Sequence, residues 1–367
     1  MKILFFVLIL IISVQAKYLD NYSCQECHEK IYEEFQSSYH AKSYFTDELH
    51  RKIADAVDTK TYVCATCHMP MANNLKELID GQARPDKNNK THTDGVSCFF
   101  CHTIAFVKKS HQFNINIKAR QAKGYKPTLY GRLEKPDDSD KHSSVKNPVY
   151  AKNVCIGCHS HKLNDNNVTI FQAIEKDQDS IECIKCHMPK VDGGVEKMDK
   201  RTRGEHVSHK FPGIHDKIFR ATGVDINITT QEKKLLITLK NKMAHPIIIQ
   251  PARVKFLKIK ILRKDKIIWQ NYQKEPSEDK QAYFAYHFTK NGKKITIPAT
   301  ATKGYVNNLN AKTTKVLNYN IPKLQKGDIV IVQFYVRLAK HDCASAIELD
   351  DKSIMDSLLI KEVKKSI

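Results

Sequence analysis

Ten of the eleven cysteines fall into five copies of one short pattern, in which two residues separate the cysteines and a histidine follows directly. The cysteines are Cys24 and Cys27, Cys64 and Cys67, Cys98 and Cys101, Cys155 and Cys158, and Cys183 and Cys186; the histidines are His28, His68, His102, His159 and His187. This spacing places two thiols on one helical turn, where they can form thioethers with the porphyrin vinyl groups. The adjacent imidazole can then bind the iron. The pattern predicts five covalently attached haems of the c type.

Other cysteine chemistries fit the pattern less well. Zinc ribbons pair two such units about 15–20 residues apart and need no histidine after each unit. Disulfides form in exported proteins, but they do not explain five histidines at the same position. A thioredoxin-like redox site needs a single unit. Cys343 stands outside the motifs; we expect it to be a buried apolar residue, and an intermolecular disulfide is the alternative.

The motifs must be positioned by the segment 17–217, which we predict to be a pentahaem domain, mainly helical and irregular. The segments 29–37 and 43–57 are helical in pattern, and long polar connections occupy 84–93 and 134–147. Regular apolar periodicity is too sparse here for an ordinary core, so packed porphyrins are expected to supply it. Met69 and Met188 follow motif histidines directly and are expected to pack rather than to bind iron.

From residue 218 to residue 367 the pattern changes to that of a second domain. Isoleucine, valine, leucine and threonine alternate with lysine, as in half-buried strands. The predicted strands are 224–229, 234–240, 254–262, 266–271, 294–298, 315–320 and 328–338. Short strands of this number predict an antiparallel β-sandwich. The segment 341–367 is compatible with a helix or a final strand. The overall fold class predicted is therefore mixed.

The N-terminus has the features of a signal peptide at 1–16. Lys2 precedes an apolar run at 3–12, and small residues lead to a cleavage site after Ala16. An uncleaved anchor is the alternative. We expect export to a periplasm and a soluble mature protein.

The formal net charge is +20, with lysine dispersed along the chain. The haem propionates would offset part of this charge. The remaining basic surface favours acidic redox partner proteins or peripheral contact with an anionic membrane. Export and the dispersed lysines argue against nucleic acid. The oligomeric state is left open.

Several short segments resemble a multihaem cytochrome c family that includes the tetrahaem cytochromes of nitrifying bacteria and related periplasmic proteins with a C-terminal β-domain. They are Ser-Tyr-His-Ala at 38–41, His-Met-Pro at 68–70 and 187–189, Gly-Val-Ser-Cys at 95–98, and Ser-His-Lys-Phe-Pro-Gly-Ile-His at 208–215. Residues 241–246 resemble a further family motif, from which Ala244 and Ile247 depart.

The resemblance implies closely packed haems with a second histidine on each iron, supplied from distant sequence. Of the 17 histidines, 12 lie outside the motifs. The expected second ligands are His40, His92, His142, His209, His215 and His245, one more than five haems need. His50, His111, His161, His206, His287 and His341 stay open.

The second axial position decides between functions, because a second histidine closes the iron and an empty position admits a substrate. The leading expectation is electron transfer in anaerobic respiration, from a quinol-oxidising membrane cytochrome or another periplasmic donor to a terminal reductase. One alternative is an oxidoreductase with one open catalytic haem acting on a small nitrogen or sulfur compound. Another is a docking subunit whose β-domain binds the partner. No catalytic residue is predicted.

Overall fold

The computed structural model describes residues 18–57, 61–121, 125–174, 183–193 and 203–367. The predicted signal peptide lies outside these residues. In the described ranges, no helix is both long and apolar enough to cross a membrane.

The helices are short, and most of them lie in the first 222 residues. In chain order they are α1 (Asn21–Gln25), α2 (Glu29–Ser37), α3 (Glu48–Val57), α4 (Ala65–His68), α5 (Leu75–Ile79), α6 (Lys90–Thr93), α7 (Cys98–His102), α8 (Val149–Lys152), α9 (Ile156–His159), α10 (Cys183–His187), α11 (Lys217–Thr222), α12 (His341–Ala346) and α13 (Lys352–Met355). Polar caps begin two of the helices near the haem motifs: the Asp20 carboxylate accepts from the Ser23 amide at 2.7 Å and the Ser97 hydroxyl from the Phe100 amide at 3.2 Å.

Short two-stranded ladders connect these helices, where the sequence predicted only irregular chain. They are β1 (Ile104–Lys108) with β2 (Ile115–Lys118), β3 (Thr128–Gly131) with β4 (Ser143–Lys146), β5 (His161–Leu163) with β6 (Thr169–Gln172), and β7 (Lys190–Asp192) with β8 (Glu205–Val207). The β3–β4 pair is parallel and the other three are antiparallel. A two-stranded ladder is too small to hold a core by itself, so these ladders serve to hold loops around the motifs.

Ten further strands form the C-terminal region. They are β9 (Val224–Gln231), β10 (Lys234–Asn241), β11 (Val254–Arg263), β12 (Lys266–Gln270), β13 (Tyr283–Lys290), β14 (Lys293–Ile295), β15 (Lys303–Asn307), β16 (Thr314–Asn320), β17 (Ile329–Arg337) and β18 (Leu358–Ser366).

These strands form two antiparallel sheets that face each other. The small sheet has the order β16-β10-β9; the large sheet runs β14-β13-β11-β17-β18, with β12 on β11 and β15 on β13. Their inner faces share one core: Leu235 and Leu239 of the small sheet and Phe284 and Phe334 of the large sheet are all 0% exposed. The chain thus has the mixed fold expected, with a mainly helical and irregular N-terminal part and a β-sandwich.

The end of the chain combines both predicted alternatives. The helices α12 and α13 come first, and β18 then pairs with β17 from Ile329↔Ser366 to Val336↔Leu358. Cys343 lies in α12, is 2% exposed and packs with Leu338, Ala344 and Ile347. Its thiol therefore fills a small apolar cluster, as the sequence suggested.

Candidate haem-binding site

Each attachment motif forms or borders one turn of helix. The His28 amide donates to the Cys24 carbonyl at 2.9 Å, and the equivalent bonds from His68 to Cys64 and from His159 to Cys155 measure 3.0 and 2.9 Å. Cysteines three positions apart lie on one helical face. The two thiols of a motif therefore point the same way, and the histidine begins the next turn, which is the arrangement that thioether attachment needs.

Cysteines of different motifs also approach one another. Thiol hydrogen bonds join Cys24 to Cys98, Cys67 to Cys158, and Cys155 to Cys183. The first motif is thus adjacent to the third, the second to the fourth, and the fourth to the fifth.

Four motif histidines face a second imidazole. The ring centres of His28 and His142 are 6.3 Å apart, those of His102 and His209 also 6.3 Å. The pairs are completed by His40 with His159 at 5.9 Å and His50 with His68 at 5.4 Å. Two metal–nitrogen bonds of about 2 Å each, on opposite sides of one ion, put two imidazole centres roughly 6 Å apart. The four pairs therefore fit two axial ligands on one iron.

The fifth motif differs in detail. The ring of His187 contacts Phe219 of α11, with 5.1 Å between ring centres. His245 lies close enough to His187 for the two rings to interact electrostatically. Burial, Lys255 and His187 all lower the pKa of His245. His187 also acts on His40 and His159, but these two rings face each other, so His245 is the remaining candidate for the far side of this iron.

In three of the motif histidines the δ nitrogen is held by a hydrogen bond. His102 Nδ1 donates to the Tyr130 carbonyl at 2.7 Å and His187 Nδ1 to the Pro212 carbonyl at 2.7 Å. His68 Nδ1 lies 3.0 Å from the Ser43 hydroxyl. Metal-bound histidines almost always use their other ring nitrogen in this way, which fixes the ring orientation and leaves Nε2 for the metal.

The facing histidines follow the same rule. Nδ1 of His209 donates to the Val207 carbonyl at 2.8 Å, and Nδ1 of His245 to the Pro246 carbonyl at 2.8 Å. His142 Nδ1 lies 3.1 Å from the Ser144 hydroxyl, and His50 Nδ1 lies 2.5 Å from the Asp47 carboxylate. In all four, Nε2 remains for a metal.

Burial keeps these rings neutral. It lowers the pKa of His40 and of His68 to about 3, and that of His209 and of His245 to about 4. Neighbouring histidines lower each value further. A neutral imidazole is the form that binds a metal, so the site favours the coordinating form.

Two histidines named from the sequence are placed differently. His92 is 1% exposed, and both ring nitrogens are used: Nδ1 accepts from the Asp86 amide at 3.0 Å and Nε2 lies 2.7 Å from the Asn74 side-chain oxygen. His215 stacks on Tyr39 at 3.9 Å, and its Nδ1 lies 3.0 Å from the Tyr39 hydroxyl. In the structure His50 lies opposite a motif histidine, whereas both ring nitrogens of His92 have partners within the protein.

His50 was left open by the sequence reasoning, since it lies in no recognisable motif. The local signal was Asp47, three residues earlier at the start of α3, where a carboxylate reaches the next turn of helix. His206 was also open; its Nε2 lies 3.1 Å from Glu34 and its Nδ1 2.8 Å from the Gly193 carbonyl. Glu34 accepts from the backbone amide of His209 as well, at 2.8 Å. His206 therefore supports the loop that holds His209.

The comparisons with known proteins agree with this geometry. The family model described as cytochrome c554 and c-prime matches residues 23–103. The crystal structure of a penta-heme cytochrome c552 from Thermochromatium tepidum is similar over 95% of this chain and 99% of that chain, with a TM-score of 0.76 and 23% identity. A likeness at this identity shows the fold. No curated protein matches.

Both matches are to c-type cytochromes, and one of them is a penta-heme protein. The family match covers the first three motifs, and the fold match extends through the β-sandwich.

Proposed function

We propose that this protein is a periplasmic electron carrier that binds five haems and relays electrons between a respiratory donor and a terminal reductase. The main support is the second imidazole that faces each of four motif histidines, with 5.4 to 6.3 Å between ring centres. An iron with two histidine ligands has no position left for a substrate, so it is suited to passing electrons.

The order of the relay is suggested by the cysteine contacts. The first and third motifs, the second and fourth, and the fourth and fifth approach through their thiols. Cys101 of the third motif is also close enough to act electrostatically on Cys155 and Cys158 of the fourth. Haems attached at these positions would form one connected group, in which the fourth haem neighbours three others.

The partners and the location follow from charge and the N-terminal segment. The net charge of +20 favours encounter with acidic proteins, and the segment 1–16 favours export. We propose a quinol-oxidising membrane cytochrome or a periplasmic protein as the donor. Peripheral contact with the membrane would follow from the same charge.

One observation favours a second candidate. His187 contacts Phe219, and its link to His245 is electrostatic rather than a ring contact of the kind seen at the other four motifs. If this haem were open, the protein would be an oxidoreductase for a small nitrogen or sulfur compound, with a single catalytic haem and four haems as the relay.

Carbon monoxide distinguishes the two candidates. It binds ferrous haem only where an axial position is free or weakly held. We expect the fully reduced protein to show no change in its haem absorption under carbon monoxide, and an intact mass equal to the chain after residue 16 plus five haems. Binding of one equivalent per chain would instead support the oxidoreductase, and a lower mass would reduce the number of haems.

A further inference from the structure

A lysine lies on the core-facing side of the large sheet. Side chains alternate along a strand, and in β11 the odd-numbered residues Leu257, Ile259 and Ile261 are at most 1% exposed in the sandwich core. Lys255 belongs to the same row and is 9% exposed. Its cross-strand neighbours, Phe284 and Val336, are 0% exposed.

The ammonium group of Lys255 lacks a negative partner. The charged group that acts on it is Arg253, two residues earlier and of the same sign, and among the described residues no carboxylate pairs with it. Burial and this like charge lower the pKa of Lys255 to about 7. Arg253 also lacks one hydrogen bond, because its Nε is buried without an acceptor. A buried cation next to a second, half-buried cation is costly unless an anion lies between them.

These two cations lie next to the fifth haem site. Lys255 acts electrostatically on His245, as does His187 of the fifth motif. On its other side, Arg253 is close to Asp47 and Tyr39. Asp47 already supplies a carboxylate towards the second motif, where it holds His50. Asp47 is therefore already engaged by His50, and Lys255, which acts on His245, is the cation that no carboxylate pairs with among the described residues.

We infer that Lys255 and Arg253 form a carboxylate-binding site, and that its occupant is a propionate of the haem attached at Cys183 and Cys186. An arginine and a carboxylate form strong, charge-assisted hydrogen bonds, and the propionate would supply the missing acceptor. The β-sandwich would then act directly on a haem, by holding its propionate and raising its reduction potential through two positive charges.

This inference rests on a haem at the fifth motif, which is part of the proposed function. Intact mass tests that point separately, because loss of this haem lowers the mass by one haem. The proposal on Lys255 is tested only in protein that contains all five haems.

The test uses the full-length holoprotein with Lys255→Met, which keeps the length of the side chain and removes its charge. We expect the one-electron reduction equilibrium of one haem to fall about tenfold, equivalent to about 59 mV, while the others stay unchanged. That haem is identified by nuclear Overhauser contacts between its methyl groups and the Phe219 ring, which contacts His187. Lys258→Met is the matched control on the opposite face of β11, and Lys255→Arg should restore the wild-type potential.

Four results would overturn the inference. Unchanged potentials in Lys255→Met would exclude a nearby propionate. A shift confined to another haem would remove the assignment to the fifth. A new high-spin signal would make Lys255 an iron ligand. Dependence of the wild-type potential on added nitrite or sulfate, lost in Lys255→Met, would show that a free oxyanion occupies the site. If Lys255→Met does not accumulate, Arg253→Gln is measured by the same criteria.

Discussion

The haem-binding region and the β-sandwich build their interiors from different material. In the sandwich, side chains such as Leu235, Phe284 and Phe334 fill the space between two sheets. In the described part of the haem-binding region, a small cluster lies around the second motif, with Tyr62, Met69 and Leu78 at its centre. Most side chains near the other motifs are only half-buried. One region therefore has a core of its own, and the other requires the porphyrins to complete it.

This difference explains how a region made of short helices and two-stranded ladders can be stable without a large hydrophobic core. A porphyrin supplies a large apolar surface, and thioethers and axial bonds fix the backbone where hydrophobic contacts are few. Ligand binding to the folded state adds to its stability. We therefore expect the cofactor to act as a structural element in the N-terminal part, whereas the sandwich is filled by its own side chains.

The largest effect is expected when the protein is produced without its haems. We expect a chain produced in the cytoplasm without its first 16 residues, and hence without attachment, to lose its structure up to about residue 215. The segment 224–367 should persist. Limited proteolysis with mass spectrometry would detect this as a resistant C-terminal fragment.

The holoprotein is the control, and it should resist cleavage over both regions. An apoprotein whose N-terminal part resists proteolysis equally would refute the dependence on haem.

A substitution in the sandwich should have the opposite effect. Phe334 is 0% exposed and packs edge-on against Phe284 at 6.4 Å between ring centres. Phe334→Ala should reduce the unfolding free energy of the sandwich by about 3–5 kcal/mol, measured by denaturant titration with circular dichroism. The haem absorption at low denaturant should not change.

Val316→Ala is the matched control, since Val316 is 58% exposed on the small sheet; its effect should stay below about 0.5 kcal/mol. Equal losses in the two variants would contradict the assignment of the core.

Within the haem-binding region, substitutions of His209 and His92 distinguish a histidine that faces a motif histidine from one that is hydrogen-bonded within the protein. His209→Ala should open the third haem, because its ring lies opposite that of His102. We expect the reduced variant to bind one equivalent of carbon monoxide. His92→Ala should bind none, because both of its ring nitrogens are used by Asp86 and Asn74. Binding in the His92 variant and not in the His209 variant would reverse the assignment.

The smallest effect concerns a charge pair at the edge of the sandwich. Arg263 donates two hydrogen bonds to Asp328, at 2.9 and 2.8 Å, and this lowers the pKa of Asp328 to about 2. A carboxyl whose folded pKa is depressed stabilises the fold above its ordinary pKa of about 4, and this contribution is lost as the pH falls towards 2. In the fragment 224–367, Asp328→Asn should flatten the loss of stability between pH 4 and pH 2. An unchanged slope would mean that the pair does not contribute.

The sequence predicted the parts of the molecule that depend on local patterns. The spacing within the five motifs predicts the attachment cysteines, and most strands of the sandwich were predicted from the alternation of apolar and polar residues. β13 and β15 were not predicted, because neither the run Tyr283–Lys290 nor the mostly exposed strand β15 shows a regular alternation of apolar and polar residues, and β18 was predicted only as an alternative to a helix. These strands exist because β11, β13 and β17 offer partners, which is information that lies in the tertiary structure.

The second histidines show the same limit more sharply. His40 lies in a recognisable segment, whereas His50 was distinguished from His92 only when the fold brought α3 opposite the second motif. Three of the four facing histidines are distant in sequence from the motif they face, as His209 is from His102, and sequence spacing does not encode that approach. The burial of Lys255 could not be predicted from the sequence either, because lysines that alternate with apolar residues in β11 are typical of an exposed strand face.

The central claim is that the haems are closed by two histidines and form a relay. Low-temperature electron paramagnetic resonance of the fully oxidised protein tests it most directly, because closed and open ferric haems give distinct spin states. The account predicts low-spin signals that integrate to five haems per chain. A high-spin signal amounting to one haem per chain would contradict it and would favour an oxidoreductase with a single open haem.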